Sequence, residues 1–232
     1  MAPPTASRRQ PRPAQPFAER AEAEIDETLV DAVEDARKGL FQWTKQWYSL
    51  AALAHLDAAK RHAVSLLGRD LVLWCAGPGD WRCFEDACPL RKVPLSEGGV
   101  EPDGTLLCAY HAWRFDASGR CASIPQSLDA ATQARHCANP RACTLAFPTQ
   151  QHLGLLWVWG EGGLQAEQES RQWGPCLVQE LVSDPALAAR VTWNQQDLPY
   201  GWEFFVENVA DPAHVPVSHH GLVGNRYTNA RN

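Results

Sequence analysis

Cys88-Pro89-Leu90-Arg91 and, beyond a Pro- and Gly-bearing loop, Cys108-Ala109-Tyr110-His111-Ala112-Trp113-Arg114-Phe115 decide how this chain is read. Two short turns that each offer a thiolate and an imidazole would suit a two-iron, two-sulfide cluster, with two thiolates on one iron and two imidazoles on the other. The second turn is complete, because Cys108 and His111 are separated by two residues. The first turn supplies Cys88, but two residues on, where the other imidazole would stand, the residue is Leu90. Its side chain has no lone pair. Either Cys83 donates a third thiolate, which lowers the potential by adding negative charge, or the cluster is weakened or lost.

Near the C-terminus the chain reads Glu207-Asn208-Val209-Ala210-Asp211-Pro212-Ala213-His214-Val215-Pro216-Val217-Ser218-His219-His220. His214 and His219 are five apart and can meet one metal if Pro216 bends the chain between them. Two imidazoles and one carboxylate form the facial triad of non-haem Fe(II) sites, which leaves positions open for dioxygen and substrate. No Asp or Glu follows His219, so iron is expected to be held weakly here. The chain is expected to be a fragment, a truncated gene product or a degenerate copy. His220 is expected to be a bystander.

Composition narrows the field. The chain has 232 residues, 45% apolar and 21% charged, the balance of a globular protein able to bury a core. A net charge of −6 gives no basic footprint for nucleic acid. No apolar run approaches the ~18 residues of a spanning helix. The eight cysteines are scattered and no cleavable apolar signal precedes them, which argues against a disulfide-stapled secreted domain. Ten Trp suggest aromatic packing or a broad apolar pocket.

The first eighteen residues carry Arg8, Arg9, Arg12 and five Pro, with no acid before Glu19, which reads as a transit peptide or a plain tail. Ile25, Leu29, Val33 and Ala36 then place an acidic amphipathic helix up to Gly39. From Leu40 the pattern changes. Leu71 to Ala76, Trp81 to Phe84, Leu106 to Tyr110 and Leu153 to Trp159 read as strands. Gly77 to Asp80, Gly98-Gly99, Asp103-Gly104 and Ser118-Gly119 read as turns. Short strands at this spacing predict a small all-β sandwich or barrel. Gly160 to Ser170 reads as a linker, and Trp202 to His214 as helical up to Pro212.

The first stretch, extended through Pro94-Leu95-Ser96-Glu97-Gly98 and Ile124-Pro125-Gln126, resembles the Rieske domain of non-haem iron oxygenases. The second resembles their mononuclear-iron motif. Pro140-Arg141-Ala142-Cys143, Phe147-Pro148, Leu155 to Trp159, Asp197 to Trp202 and Asp211 to Pro216 resemble the pheophorbide a oxygenase group in particular, from about Phe41 to the end. That group includes chlorophyllide a oxygenase and Rieske components of plastid protein import. Where this family has a glycine after the second histidine, the chain has Ala112, which fits if φ stays negative.

The resemblance implies an α+β chain. Residues 1–39 would be a transit-like tail and helix, 40–165 an all-β Rieske 2Fe-2S domain, and 166–232 the incomplete beginning of a helix-grip mononuclear-iron domain. It implies Cys88, Cys108 and His111 as cluster ligands, and His214 and His219 as ligands of a mononuclear non-haem Fe(II). Asp211 would link His214 to the residue equivalent to His111 on a neighbouring subunit, within a homo-oligomer, a trimer by resemblance. Ferredoxin would donate electrons, and a chlorophyll-derived tetrapyrrole such as pheophorbide or chlorophyllide would be oxygenated with dioxygen. The place would be the chloroplast, at the envelope or thylakoid, with any membrane anchor outside this chain. Leu90 and the missing carboxylate imply impaired activity. The alternative is a non-catalytic Rieske-fold scaffold or regulatory component of a plastid translocon or pigment-handling complex. A bare electron carrier is opposed by His214 and His219.

Overall fold

A computed structural model describes residues 40–225 and Tyr227. The tail and acidic helix expected over 1–39 lie outside the described residues. Every element below lies in the unit that begins at Trp43.

Its most informative element is a long strand. Leu71-Val72-Leu73-Trp74-Cys75 is an unbroken apolar run, the mark of a strand covered on both faces rather than one. The chain forms β1 (Trp47–Ala52), β2 (His62–Leu66), β3 (Arg69–Gly77) and β4 (Asp80–Glu85), then the short β5 (Gly99–Val100), β6 (Leu106–Leu107), β7 (Arg114–Phe115) and β8 (Cys121–Ser123). Helix α1 (Ala130–Cys137) precedes β9 (Ala146–Phe147), β10 (Thr149–His152) and β11 (Leu155–Trp159). Three antiparallel sheets result, in the orders β1-β11-β10, β2-β3-β4-β9 and β5-β6-β7-β8. The all-β sandwich expected from the sequence is present.

The second sheet is the middle layer. Leu71, Leu73 and Cys75 of β3 join Trp81, Cys83, Phe147, Leu156 and Val158 in one core, against the first sheet. Val72 and Trp74, on the opposite face, join Phe84, Leu95, Leu106, Phe115, Cys88 and Cys108 in a second core, against the third sheet. Trp74 and Trp159 are fully buried, and Trp74 meets Phe84 edge-on at 5.3 Å, whereas Trp43, Trp173 and Trp202 are exposed, so aromatic packing accounts for only part of the tryptophans. Hairpins β2–β3 and β10–β11 turn through Leu67-Gly68 and Leu153-Gly154, with positive φ at all four residues, the backbone hand that matches strand twist.

Four expectations change. The strand expected from Leu153 starts only at Leu155, because Leu153-Gly154 is the turn of the β10–β11 hairpin. The strand placed over Leu106 to Tyr110 is only Leu106–Leu107, because Cys108 turns back to bond Trp113. Gly98-Gly99 is not a turn: Gly98 closes the 3-10 turn Leu95–Glu97 and β5 starts at Gly99. The supposed linker contains helix α2 (Leu164–Ser170), which is seated by buried Ala166 and Ser170 and by the 2.8 Å ion pair of Lys45 with Glu169.

After α2 come the short α3 (Gln179–Ser183) and α4 (Pro185–Ala188), then α5 (Trp202–Ala210), a 3-10 turn at Pro212–His214 and α6 (Val215–Ser218). The helix expected from Trp202 breaks at Asp211-Pro212, as Pro dictates. None of the described residues after Ser170 is buried. Side-chain hydrogen bonds tie this segment to the sheets, from Trp47 to the Trp173 carbonyl at 2.7 Å and from Gln195 to the Leu50 carbonyl at 3.1 Å. Among the described residues no helix is long and apolar enough to cross a membrane.

Candidate metal centre

The two cysteine turns have matching backbones. The Cys88 N–H donates to the Val93 carbonyl at 2.8 Å, and the Cys108 N–H to the Trp113 carbonyl at the same distance. Lys92 N–H returns to the Cys88 carbonyl at 2.8 Å, and Ala112 N–H to the Cys108 carbonyl at 3.1 Å. Lys92 has φ 57° and Ala112 φ 55°. The negative φ expected at Ala112 is therefore not met. The turn requires the left-handed region, and the methyl group is accommodated there under strain.

Each turn is pinned from outside. The Asp86 carboxylate accepts from the Ser96 N–H at 2.7 Å and its hydroxyl at 2.6 Å, closing the first loop at its base. Gln126 donates its side-chain amide to the His111 carbonyl at 2.8 Å. Arg114, next to Trp113, bonds Thr105 at 2.8 Å and pairs with Asp103. The Thr105 hydroxyl, followed by Arg114, holds the Asp103 carboxyl below the ordinary carboxylate range.

Within this frame the Cys88 and Cys108 thiols are buried and within hydrogen-bonding reach of each other. Burial, and then Cys108, push the Cys88 thiol up to about 11, while backbone N–H groups of Leu90 and Arg91 directed at its sulfur act the other way. Those amides favour a thiolate, which a metal would complete. His111 carries a buried Nδ1 with no hydrogen-bond partner, and its ring lies 4.0 Å from that of Tyr110. A buried, unsatisfied ring nitrogen is costly unless something coordinates it.

The two thiols meet, and the His111 ring nitrogen is left unpaired, so the residues present can supply three of the four donors of a two-iron cluster. The fourth does not fit: Leu90 is 41% exposed and has no donor atom. Cys83 cannot replace it, because strand alternation turns Cys83 into the first core, opposite Phe84, which shares the second core with Cys88. Burial holds its thiol well above the ordinary range.

The second constellation is separate. His214 and His219 rings are 5.5 Å apart, brought together across α6, which contains Pro216. Asp211 caps the 3-10 turn by accepting from the Ala213 N–H at 2.9 Å. Its backbone carbonyl meets His214 Nδ1, and its carboxylate lies 3.7 Å from the same atom. These residues line an open pocket of ≈ 400 Å3 with Asn208, Val209 and Val223. His220 packs edge-on against Tyr227 at 5.4 Å. Among the described residues no third donor is grouped with the imidazole pair.

Sequence reasoning missed the Leu90 and Arg91 amides and the Asp86–Ser96 clasp. Backbone donors have no residue signature, and the clasp depends on loop closure.

Residues 46–134 match the family description "Rieske [2Fe-2S] domain". Pheophorbide a oxygenase of Oryza sativa subsp. japonica is 38% identical over 188 residues, covering 80% of this chain and 35% of the relative. Protochlorophyllide-dependent translocon component 52 of Arabidopsis thaliana is 33% identical over 184 residues, covering 79% and 32%. The solved structure of NdmA from Pseudomonas putida CBB5 has the same fold, with TM-score 0.59 and 24% identity, over 81% of this chain and 52% of that one. The chain spans about a third of the length of the curated relatives it matches.

Proposed function

The chain is a Rieske-domain member of the pheophorbide a oxygenase-like group, and from that premise we propose that it is part of a chloroplast oxygenase acting on a chlorophyll-derived tetrapyrrole with dioxygen and electrons from ferredoxin. The pair of matching cysteine turns, with His111 Nδ1 unsatisfied between its supports, carries this reading. A bound 2Fe-2S cluster supplies one-electron transfer, and a mononuclear Fe(II) supplies reduction of dioxygen.

The chain's own residues have definable parts. Cys88 and Cys108 would hold the thiolate end of the cluster, with the Leu90 and Arg91 amides neutralising the Cys88 sulfur. His111 would hold the other end alone. At the second centre, the Asp211 carbonyl accepts from His214 Nδ1, which leaves Nε2 with the lone pair that a metal needs. Asp211 is thereby the positioning residue of this pair, and we assign its carboxylate the link to a neighbouring subunit's cluster.

Leu90 sets the level of activity. Replacing an imidazole by an alkyl group leaves one iron short of a protein donor, so the chain would be an impaired electron carrier. The experiment is anaerobic reconstitution with iron and sulfide of the native chain and of Leu90→His. The variant is expected to gain iron, acid-labile sulfide and a Rieske absorbance band that the native chain lacks or holds weakly. A variant that gains nothing would show that Leu90 does not occupy the ligand corner.

The exposed alkyl group also favours a second reading, a non-catalytic scaffold in a translocon or pigment-handling complex. A native chain that stays iron-free and melts at the same temperature as before reconstitution supports it.

A further inference from the structure

Three of the eight cysteines lie outside both metal constellations and yet gather at one place. Cys121 is in β8, Cys137 is the last residue of α1, and Cys143 follows the 3-10 turn Pro140–Ala142. The Cys121 and Cys137 sulfurs are 3.0 Å apart. A disulfide bond measures about 2.05 Å, so the two need approach by only about an ångström to bond. Cys143 lies near enough to raise the Cys121 thiol further, after burial and Cys137 have already done so. A trio of thiols invites a metal, but among the described residues no three such side chains are grouped to hold one.

The site sits behind the His111 loop. Cys121, Ile124 and Ala142 form a small core against which Cys137 and Trp113 pack, and Trp113 accepts the Cys108 N–H that closes the loop. The same stretch between the two cysteines carries Gln126, which holds the His111 carbonyl. Whatever fixes Cys121 to Cys137 therefore fixes the support of that loop.

We propose that Cys121 and Cys137 form a redox-modification site, a dithiol that is converted to a disulfide by a small-molecule disulfide such as oxidised glutathione. Cys137, the less buried of the two, attacks one sulfur of the reagent as the thiolate. An S–S bond forms to Cys137, the reagent's own S–S bond breaks, and the departing thiolate takes up a proton. Cys121 then gives its proton to solvent and attacks the Cys137 sulfur, releasing the second reagent thiol. Two protein thiols are oxidised to one disulfide, and one reagent disulfide is reduced to two thiols. Cys143 is a bystander in this exchange. The disulfide closes the segment that holds the loop and so stiffens the loop from behind.

Trypsin separates the three cysteines onto peptides 121–135, 136–141 and 142–171. The full chain is incubated with oxidised glutathione, alkylated, digested and weighed. The expected product is 121–135 linked to 136–141, ~2 Da below the sum of the reduced peptides and released by dithiothreitol. The link persists in Cys143→Ser and is lost in Cys137→Ser. Oxidation also slows amide hydrogen exchange across 108–114 severalfold. Alkylation of both Cys121 and Cys137 under conditions that join 83–91 to 93–114 overturns the proposal, as does a link to 142–171 instead. Unchanged exchange across 108–114 overturns the coupling to the loop. None of these readouts requires a metal, so they stand apart from the reading of the iron sites.

Discussion

Lys92 and Ala112 occupy equivalent points of two matching turns, each four residues after a cysteine, each bonded back to that cysteine's carbonyl and each left-handed, with φ 57° and 55°. Side chains rarely adopt this backbone, and glycine does so freely. The turns hold their shape at non-glycine residues because the surrounding hydrogen bonds over-determine it.

Ala112→Gly and Lys92→Gly are each expected to stabilise the chain by about 0.5–1 kcal/mol, the left-handed penalty less the entropy that glycine loses on folding. Urea denaturation checks this. A lower midpoint for both variants would mean that the turns carry no strain.

Gly98 has the opposite role, since there the reason is proximity. A Cβ on it would sit 1.8 Å from the Leu107 carbonyl oxygen and 3.0 Å from that of Leu95. Both are backbone atoms, and Leu107 leads directly into Cys108. Gly98→Ala should cost roughly 2–3 kcal/mol by forced displacement and should weaken iron uptake. Wild-type stability in denaturant would refute this.

The Cys88 thiol, at about 11 against an ordinary 9.0, carries roughly a hundredfold less thiolate at neutral pH than an unperturbed cysteine. In the metal-free chain, iodoacetamide should label exposed Cys176 well before the peptide containing Cys88. Because the folded value is raised, the thiol's contribution to stability is complete below pH 9 and is lost as pH rises from 9 to 11. The urea midpoint should fall across that window in the native chain, and fall less in Cys88→Ala.

Gln126→Ala removes the side-chain bond to the His111 carbonyl. A loss of about 1 kcal/mol is expected, with faster amide exchange at Ala112 and an unchanged rate in the β2–β3 hairpin. Uniform acceleration would assign Gln126 a general structural role instead.

The fold was legible where the signal was local. The apolar run of β3 and the Gly77-Pro78-Gly79-Asp80 turn announce a hairpin, because burial on two faces and a tight reversal each need particular residues nearby. The cysteine turns were legible through fixed spacing. Strand parity alone would have turned Cys83 away from Cys88, since it alternates with Phe84. What stayed hidden was non-local. Helix α2 rests on Lys45, more than a hundred residues earlier, and a Gly-rich polar stretch gives no hint of that partner. The meeting of Cys121 with Cys137 depends on how α1 folds back on β8, which follows no motif.

Strand β3 has a consequence for folding. Its successive side chains alternate between two interiors, so a shift of one residue in its pairing would exchange Leu71, Leu73 and Cys75 with Val72 and Trp74. Neither interior could form correctly with the other wrong. The cysteine turns stand on one of these interiors, so their shape depends on the register of a strand that also serves the sheet farthest from them.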